Sequence, residues 1–209
     1  MELRDLTVTG FCTETISSSP APGGGSVAAL CGALAASLSG MVCELTIGKK
    51  GYEEQEAQMQ AILAQAKSLQ NELLLAIDED SCSFNGYMTA LKLPKNTEEE
   101  KAIRQAAMQE GLKAAAIVPM HTAELAAKIF PLARFAVERG NKNALSDGLV
   151  SAMTARTAVL SALLNVRINL GSIKDEAFVW KLSDKCNTLW VNALAEEKEI
   201  LALAAELTE

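Results

Sequence analysis

The chain has 209 residues, a formal net charge of −7, and a composition that is 49% hydrophobic, 22% charged and 4% aromatic. Its length is that of one domain with its own core, so we predict a single helical domain over residues 1–209. The alanine- and leucine-rich, aromatic-poor composition favours helices, and it excludes a disordered chain, a collagen-like repeat and a β-sandwich.

The charge and the cysteines limit the partners and the compartment. No dense group of lysines and arginines provides the basic surface that nucleic acid requires, so we expect no nucleic-acid partner. The first residues include acids and lack the apolar stretch of a signal peptide. The five cysteines are scattered and have no CxxC spacing, which indicates buried free thiols. We therefore expect a cytoplasmic protein.

The first predicted element is a short helix over residues 7–18, and a loop with two prolines and three glycines follows it. Ser26 is a natural N-cap for the next helix, which is predicted to end near Gly48. Residues 26–47 carry one charge and are long enough to span a bilayer, but they have modest hydrophobicity and no basic flank. We interpret this segment as the central helix of a bundle and expect no membrane partner.

From residue 53 to about residue 91, apolar residues recur at steps of three and four, which predicts a long helix. Thr97 and Glu100 form a capping box at the start of the next helix. Pro119 and Pro131 lie inside that helix, so we expect a kink or a break near each of them.

A turn at residues 140–143 precedes a fifth helix over about 144–170 and a sixth over about 174–207. A straight helix of about 38 residues is roughly 57 Å long, whereas a compact globule of this size is about 43 Å across. The sequence therefore predicts an all-α, elongated bundle of about six helices, some of them long or kinked at proline. Because such bundles pair along their length, we expect a homodimer.

The glycine-rich loop is the first candidate site. Its residues are Pro20, Ala21, Pro22, Gly23, Gly24, Gly25 and Ser26. Consecutive glycines before a helix expose backbone N–H groups beside the positive end of the helix dipole, which suits an anion. The spacing is not that of a nucleotide-binding P-loop. The alternative is a tight turn that lets two helices approach closely, and the spacing alone favours neither interpretation.

An acidic residue within an apolar stripe is the second candidate. Asp80 lies three residues after Ile77 and four before Phe84, so it falls on the apolar face of its helix, whereas Asp78 points away. A carboxyl group in such a place is either hydrogen-bonded for structural reasons or has a raised pKa that serves proton transfer. The position alone favours neither interpretation.

The third candidate is a group of three amides and one acid around the fifth helix. Asn143 and Asp147 are four residues apart, as are Asn165 and Asn169, and all lie near one side of the helix. Asp147 and Asn165 are separated by 18 residues, which is about 27 Å along a helix axis. They serve two ends of a long site, or one of them is structural. For Asn165 and Asn169 the alternative is a pair of buried interhelical amides.

The single histidine, His121, carries little weight as an acid or base because no second residue completes a catalytic triad. The sequence also lacks a histidine and cysteine spacing typical of a metal site, so we expect no metal.

Together, these motifs resemble those of the cyclodeaminase/cyclohydrolase family. The resemblance begins with the loop from Pro20 to Ser26 and covers essentially the whole chain in order. The other matching stretches are 45–50, Asp78-Glu79-Asp80 with Phe84, Leu93-Pro94-Lys95, Val118-Pro119, Gly140-Asn141 with Ser146-Asp147, and 165–169. The resemblance implies an all-helical, commonly dimeric enzyme that acts on the one-carbon unit bridging nitrogens 5 and 10 of tetrahydrofolate.

The family that this chain resembles contains two kinds of enzyme, formiminotetrahydrofolate cyclodeaminase and methenyltetrahydrofolate cyclohydrolase. In cyclodeamination, nitrogen 10 attacks the formimino carbon and ammonia leaves, so the resemblance implies no cofactor beyond the folate substrate. Such an enzyme must hold two nitrogens near one carbon and move protons. We expect the cyclodeaminase reaction. The alternatives are the cyclohydrolase, in which the carboxylate activates water, and a non-catalytic folate-binding or dimerisation module.

The positions of the motifs also suggest roles for individual residues. Asp80 or Asp147 is expected to act as the acid and base, and Asn143 to orient the substrate. Lys49 and Lys95 are expected to meet glutamyl carboxylates, including those of a polyglutamylated folate. The other expected substrate-binding residues are Pro22, Gly23, Gly24, Gly25, Ser26, Asn165 and Asn169.

Overall fold

A computed structural model describes residues 2–208, with the surroundings of side chains as far as residue 204. Within this range the chain forms seven α-helices and three short 3-10 turns. The helices are α1 (Val8–Thr15), α2 (Gly24–Glu44), α3 (Glu56–Leu91), α4 (Glu98–Ala127), α5 (Ile129–Arg139), α6 (Leu145–Leu170) and α7 (Glu176–Thr208). The described residues contain no strand, which confirms the predicted all-α class.

The lengths and breaks of the helices agree with an elongated bundle. Helix α3 runs unbroken for 36 residues, which is about 54 Å. The predicted fourth helix is divided at Lys128 into α4 and α5, which gives seven helices instead of about six. The break lies just before Pro131, which occupies the first turn of α5, where a missing N–H removes no helical bond. Pro119 lies inside α4, which continues through it.

Two of the predicted helix starts had different outcomes. The capping box at α4 is confirmed, since the Glu100 N–H donates to Thr97 Oγ1 at 3.1 Å and the Thr97 N–H donates to the Glu100 carboxylate. The prediction that Ser26 caps α2 was wrong, because the helix already begins at Gly24 and its N-cap is Gly23. Ser26 therefore lies in the first turn, where its buried hydroxyl bonds to α3 instead of to its own helix.

Helix α2 is the central helix and packs against both α3 and α6. Small residues allow the close approach, and Ala28, Ala35 and Ala36 are fully buried. A Cβ at Gly32 would come within 2.9 Å of the Leu73 side chain, so α3 packs directly on the backbone of α2 there. Helix α4 packs on α3 and α6, and α7 on α6. This packing brings the start of α2, the middle of α3 and the end of α6 together.

Two helices have the length and apolar composition of a membrane span: α2, and α6 together with the turn that precedes it. In α2, 61% of the most apolar window is buried inside the bundle, and in α6 the share is 44%. The burial of α2 between its neighbours is that of a core helix, which is the interpretation made from its sequence.

The five cysteines are free thiols. Cys43 and Cys186 are buried and Cys31 is partly buried, as expected for structural thiols. Cys12 and Cys82 are exposed, so the expectation of burial was wrong for these two, which lie on the solvent sides of α1 and α3.

Candidate active site

The loop before α2, the middle of α3 and the end of α6 surround a cavity of about 350 Å³. This volume is within the range of small-molecule sites. Six of the predicted site residues line the cavity: Gly23, Gly24, Gly25, Asp80, Asn165 and Asn169. Pro22 and Ser26 are buried, and neither is among the residues that line it.

Asp80 lies against the first turn of α2. Its Oδ2 atom accepts a hydrogen bond of 3.0 Å from the Ser26 hydroxyl, and its carboxyl group covers Gly25. A Cβ at Gly25 would overlap this carboxyl group, coming within 2.7 Å even of Oδ2, the more distant of its two oxygens. Glycine is therefore required at position 25 for α2 to approach the carboxylate of α3.

Two opposing effects act on the acidity of Asp80. Burial raises the pKa of this carboxyl group above its ordinary value, because a buried site disfavours the charged form. Hydrogen bonds from the hydroxyl and the backbone N–H of Ser26 act in the opposite direction, and burial prevails. No side chain of the preceding loop caps α2 at Gly23. The Asp80 carboxyl group accepts from the Ser26 N–H in the first turn of that helix, so it acts in place of a cap. A raised pKa and a position on the cavity wall are what proton transfer requires.

Asn165 and Asn169 make structural hydrogen bonds and also line the cavity. Asn165 donates from Nδ2 to the carbonyl oxygen of Ser161, one turn earlier, at 2.9 Å. Asn169 donates from Nδ2 to the carbonyl oxygens of Asn165 at 2.9 Å and of Ala115, in α4, at 2.8 Å. The interhelical amide anticipated from the sequence is thus present at Asn169. Because both amide nitrogens are engaged, their side-chain oxygens retain the capacity to accept hydrogen bonds from a ligand.

The bond to Ala115 has a specific cause. In an α-helix, the carbonyl oxygen of residue 115 would accept from the N–H of residue 119, but Pro119 has no N–H. The Asn169 side chain supplies the missing donor. This bond explains how α4 continues through a buried proline, and it fixes Asn169 at the cavity wall.

Sequence reasoning did not assign the apolar part of the cavity to the site. Phe84, Tyr87 and Ile168 line it, and the two aromatic residues lie four and seven positions after Asp80. That spacing places them on the same helix face as the carboxylate. This spacing alone could have assigned Phe84 and Tyr87 to the site as an aromatic wall beside Asp80.

The other end of α6 forms a separate polar cluster. Asn141 is buried, and it donates from its backbone N–H to Thr46 Oγ1 at 2.9 Å and from Nδ2 to the carbonyl oxygen of Leu45 at 3.2 Å. Its Oδ1 accepts from the N–H of Asn143, whose side chain is exposed. Asp147 is partly buried in the first turn of α6. Asn141, which was not among the predicted site residues, therefore anchors this turn to the segment after α2.

Within one chain, the two clusters do not meet. Asp147 and Asn165 lie on the same unbroken helix, 18 residues apart, which corresponds to about 27 Å. Asn143 and Asp147 are not among the residues that line the cavity of Asp80. Of the two lysines, Lys49 lies over the ring of Tyr52 at 5.9 Å and Lys95 is exposed, and neither lines the cavity.

His121 is exposed on α4 and does not line the cavity either. Among residues 2–208, no three histidine, cysteine, aspartate or glutamate residues lie close enough together to hold a metal ion.

Comparison with known proteins identifies the family and the fold. The family model described as Formiminotransferase-cyclodeaminase matches residues 7–188. The chain is similar over its whole length to the crystal structure of formiminotetrahydrofolate cyclodeaminase from Thermotoga maritima. The TM-score is 0.88, the sequence identity is 28%, and the match covers 100% of both chains.

Two relatives illustrate the two activities represented. The chain is 42% identical over 172 residues to methenyltetrahydrofolate cyclohydrolase of Methylorubrum extorquens, a match that covers 82% of this chain and 83% of that protein. It is 35% identical over 199 residues to formimidoyltransferase-cyclodeaminase of Mus musculus. That match covers 95% of this chain but 37% of the mouse protein, so the chain spans little more than a third of that relative.

Proposed function

Because the chain belongs to the formiminotransferase-cyclodeaminase family, whose members act on folate one-carbon units, we propose that it converts 5-formiminotetrahydrofolate to 5,10-methenyltetrahydrofolate and ammonia. The observation that carries this proposal is the half-buried Asp80 carboxyl group, with its raised pKa, on the wall of a cavity of about 350 Å³. Phe84 and Tyr87 give the same cavity an aromatic surface suited to a pterin ring.

The proposed reaction uses Asp80 twice. Nitrogen 10 gives its lone pair to the carbon of the formimino cation, and a carbon–nitrogen bond forms while the π electrons move to the terminal nitrogen. The Asp80 carboxylate accepts the proton of nitrogen 10 and returns it to the terminal nitrogen. The bond between the carbon and the terminal nitrogen then breaks, and ammonia leaves. The methenyl product keeps the positive charge. A raised pKa suits a group that must both accept and release a proton.

The remaining lining residues supply position. The side-chain oxygens of Asn165 and Asn169 accept hydrogen bonds from substrate N–H groups, and the loop of Gly23, Gly24 and Gly25 allows close approach of the pterin or glutamate part. Lys49 and Lys95, which lie outside the cavity, are proposed contacts for the carboxylates of a glutamyl or polyglutamyl tail. We propose no cofactor beyond the folate, and a cytoplasmic location consistent with the free thiols.

The second candidate function is the cyclohydrolase. Asp80 takes one proton from the water that attacks the methenyl carbon and gives it to nitrogen 5 as the bond from that nitrogen to the carbon breaks. The remaining hydroxyl proton is released to solvent, and the product is 10-formyltetrahydrofolate. A specific observation favours the cyclohydrolase: the relative of which this chain covers 83% bears that name. Both reactions use the same folate framework and the same carboxylate, and they differ in the group added to or lost from one carbon.

An assay of the purified chain separates these functions. With 5-formiminotetrahydrofolate, we expect the absorbance of the methenyl product to rise above the uncatalysed rate, with one ammonia released per product. Accelerated loss of added methenyltetrahydrofolate, without acceleration of the first reaction, would assign the cyclohydrolase. Binding of either folate without turnover would identify a folate-binding module instead.

We also propose that two copies pair through α6. One stripe along the helix has exposed apolar side chains toward its two ends (Val150, Leu164, Ile168) and the partly buried Thr157 and Ser161 near its middle. A two-fold axis near residue 159 places Val150 against the partner's Ile168, because these positions are equally far from that axis.

The same pairing brings Asp147 and Asn143 of one copy toward the cavity end of the other, which reconciles both clusters with one site. Sedimentation should give the mass of a dimer. Leu164→Glu, which puts a charge within the paired stripe, should give a monomer with reduced activity, and a monomeric native protein would contradict the proposal.

A further inference from the structure

Ser26 makes a contact that the proposed reaction does not use. It is the third residue of α2, its side chain is fully buried, and it does not line the cavity. Its Oγ lies 3.0 Å from Oδ2 of Asp80 and 3.0 Å from the carbonyl oxygen of Ile77. The hydroxyl therefore contacts the carboxyl group from behind the cavity wall.

The number of hydrogens in this group decides which bond forms. A serine hydroxyl has one hydrogen, and both of its neighbours here accept when Asp80 is ionised. Ile77 lies inside α3, where its carbonyl oxygen already accepts a helical bond. A bond to a carboxylate is charge-assisted and stronger than one to a neutral carbonyl. The hydroxyl hydrogen therefore goes to Oδ2 of Asp80 when that group is charged.

The two oxygens of Asp80 are then in different environments. Oδ2 is held by Ser26, a buried residue outside the cavity lining. Oδ1 is the atom nearest to the Cβ position of Gly25, and Gly25 does line the cavity. Among the described lining residues, the other titratable group is the Tyr87 phenol, and no charged side chain of α2, α4 or α6 is among them.

We propose that Ser26 is a positioning residue that holds Oδ2 of Asp80, so that the exchanged proton enters and leaves through Oδ1, the oxygen that the Ser26 hydroxyl does not engage. The inference rests on the proposed role of Asp80 as acid and base. One proton is gained from substrate nitrogen at Oδ1 and lost from the same oxygen, while the Ser26 hydrogen stays on its own oxygen. Without the Ser26 hydroxyl, Oδ2 loses its side-chain donor and the proton can also reside there, while the Ser26 backbone N–H still donates to the carboxyl group.

The test is the Ser26→Ala variant, with two readouts. Carbon-13 NMR of the aspartate carboxyl carbons, assigned by the signal missing in Asp80→Asn, gives the pKa of Asp80 in the free protein. We expect this pKa to rise above that of the native protein, because the ionised form loses a donor. We expect kcat to fall about fivefold, as for loss of one hydrogen bond, and the acidic limb of the pH–rate profile to move to higher pH.

Two further variants make the test specific. Ser26→Cys keeps a side chain of similar size with a weaker donor, so the pKa should rise in the same direction by less. Ser39→Ala is the matched control, because Ser39 is also fully buried on α2 but bonds to Ser151 at 2.8 Å. It should leave the pKa of Asp80 unchanged.

The two readouts separate the inference from the function on which it rests. An unchanged Asp80 pKa in folded Ser26→Ala or Ser26→Cys protein overturns the role of Ser26, whatever the activity. A raised pKa with a pH–rate profile that does not follow it overturns Asp80 as the acid and base, and with it the catalytic part of the inference. A pKa and a profile that move together support both.

Discussion

The two ends of helix α6 carry similar polar residues but have different surroundings. At its C-terminal end, Asn165 and Asn169 line a cavity that also contains the Asp80 carboxyl group. At its N-terminal end, Asn143 is exposed in a turn that Asn141 anchors to the segment after α2. Similar amides in similar sequence patterns thus have different roles, and the difference comes from the neighbouring helices.

The cavity end is built from four helices, α2, α3, α4 and α6, which all contribute residues to its wall. Gly25 lets α2 meet the Asp80 carboxyl group, and Asn169 ties α6 to α4. The turn end is held by hydrogen bonds to one neighbouring segment. We therefore expect substitutions at the cavity end to change catalysis strongly, and substitutions at the turn end to act more weakly or through a partner subunit.

The largest expected effect separates the two acids. Asp80→Asn keeps the shape of the side chain but removes the proton acceptor, so kcat should fall by about 10³-fold, within the usual range for loss of a general acid–base group. Asp147→Asn should lower kcat by about tenfold, because Asp147 would reach the substrate only from the partner subunit. Both are measured by methenyl absorbance with folded protein. Equal losses would remove the distinction between the two ends, and native activity in Asp80→Asn would exclude it as the acid and base.

The next effect concerns one glycine near each end of α6: Gly25 at the cavity, and Gly51, which lies beside Gly140, Lys142 and Leu145. Gly25→Ala places a methyl group against the Asp80 carboxyl group, and this displacement should lower kcat by about 100-fold. Gly51, in the turn near Tyr52, has φ of +90° and open space around its Cβ position. Gly51→Ala should therefore lower the free energy of unfolding by about 1 kcal/mol and leave kcat near that of the native protein. Comparable kcat values in the two variants would show that the Gly25 contact does not position Asp80.

A smaller effect, on the free energy of unfolding, tests the structural hydrogen bond from Asn169 to the Ala115 carbonyl oxygen. Asn169→Ala should lower the free energy of unfolding by about 1–3 kcal/mol, because the Ala115 carbonyl oxygen loses its side-chain donor. Asn143→Ala, at an exposed side chain, should change it by less than about 0.5 kcal/mol. Urea denaturation measures both.

A double-mutant cycle sharpens this comparison. Pro119→Ala restores a backbone N–H to residue 119, which can then bond to the Ala115 carbonyl oxygen within α4. In that background, Asn169→Ala should cost less than in the native protein. An equal cost in both backgrounds would show that Asn169 does not replace the bond missing at Pro119.

The sequence predicts the helices and the position of Asp80 because both depend on local periodicity. Asp80 was identified since it interrupts an apolar stripe, and the structure places it on a cavity wall. The start of α2 was misplaced at Ser26, because the capping preference of serine is a local property. The contact that engages Ser26 comes from Asp80 and Ile77, more than fifty positions away.

Long-range partners explain the other omissions. The need created by Pro119 can be read from the sequence, since a proline inside a helix leaves a carbonyl oxygen without a donor four residues earlier. That Asn169 meets this need depends on how α6 packs against α4, which periodicity does not determine. The anchor at Asn141 is similar, because its partner is Thr46 in another segment.

The smallest expected effect is on stability, and its sign decides between two roles of Asp80. Burial raises the pKa of Asp80 above the ordinary value of 3.8, so the folded state binds this proton more tightly than the unfolded state does. The resulting stability is fully present below about pH 3.8 and is lost as the pH rises through the raised pKa. Asp80→Asn lacks this loss, so its Tm relative to the native protein should increase as the pH rises from 3 to 7. If the carboxylate instead serves mainly as a cap for α2, the variant should become relatively less stable over the same range, because the charge would favour folding.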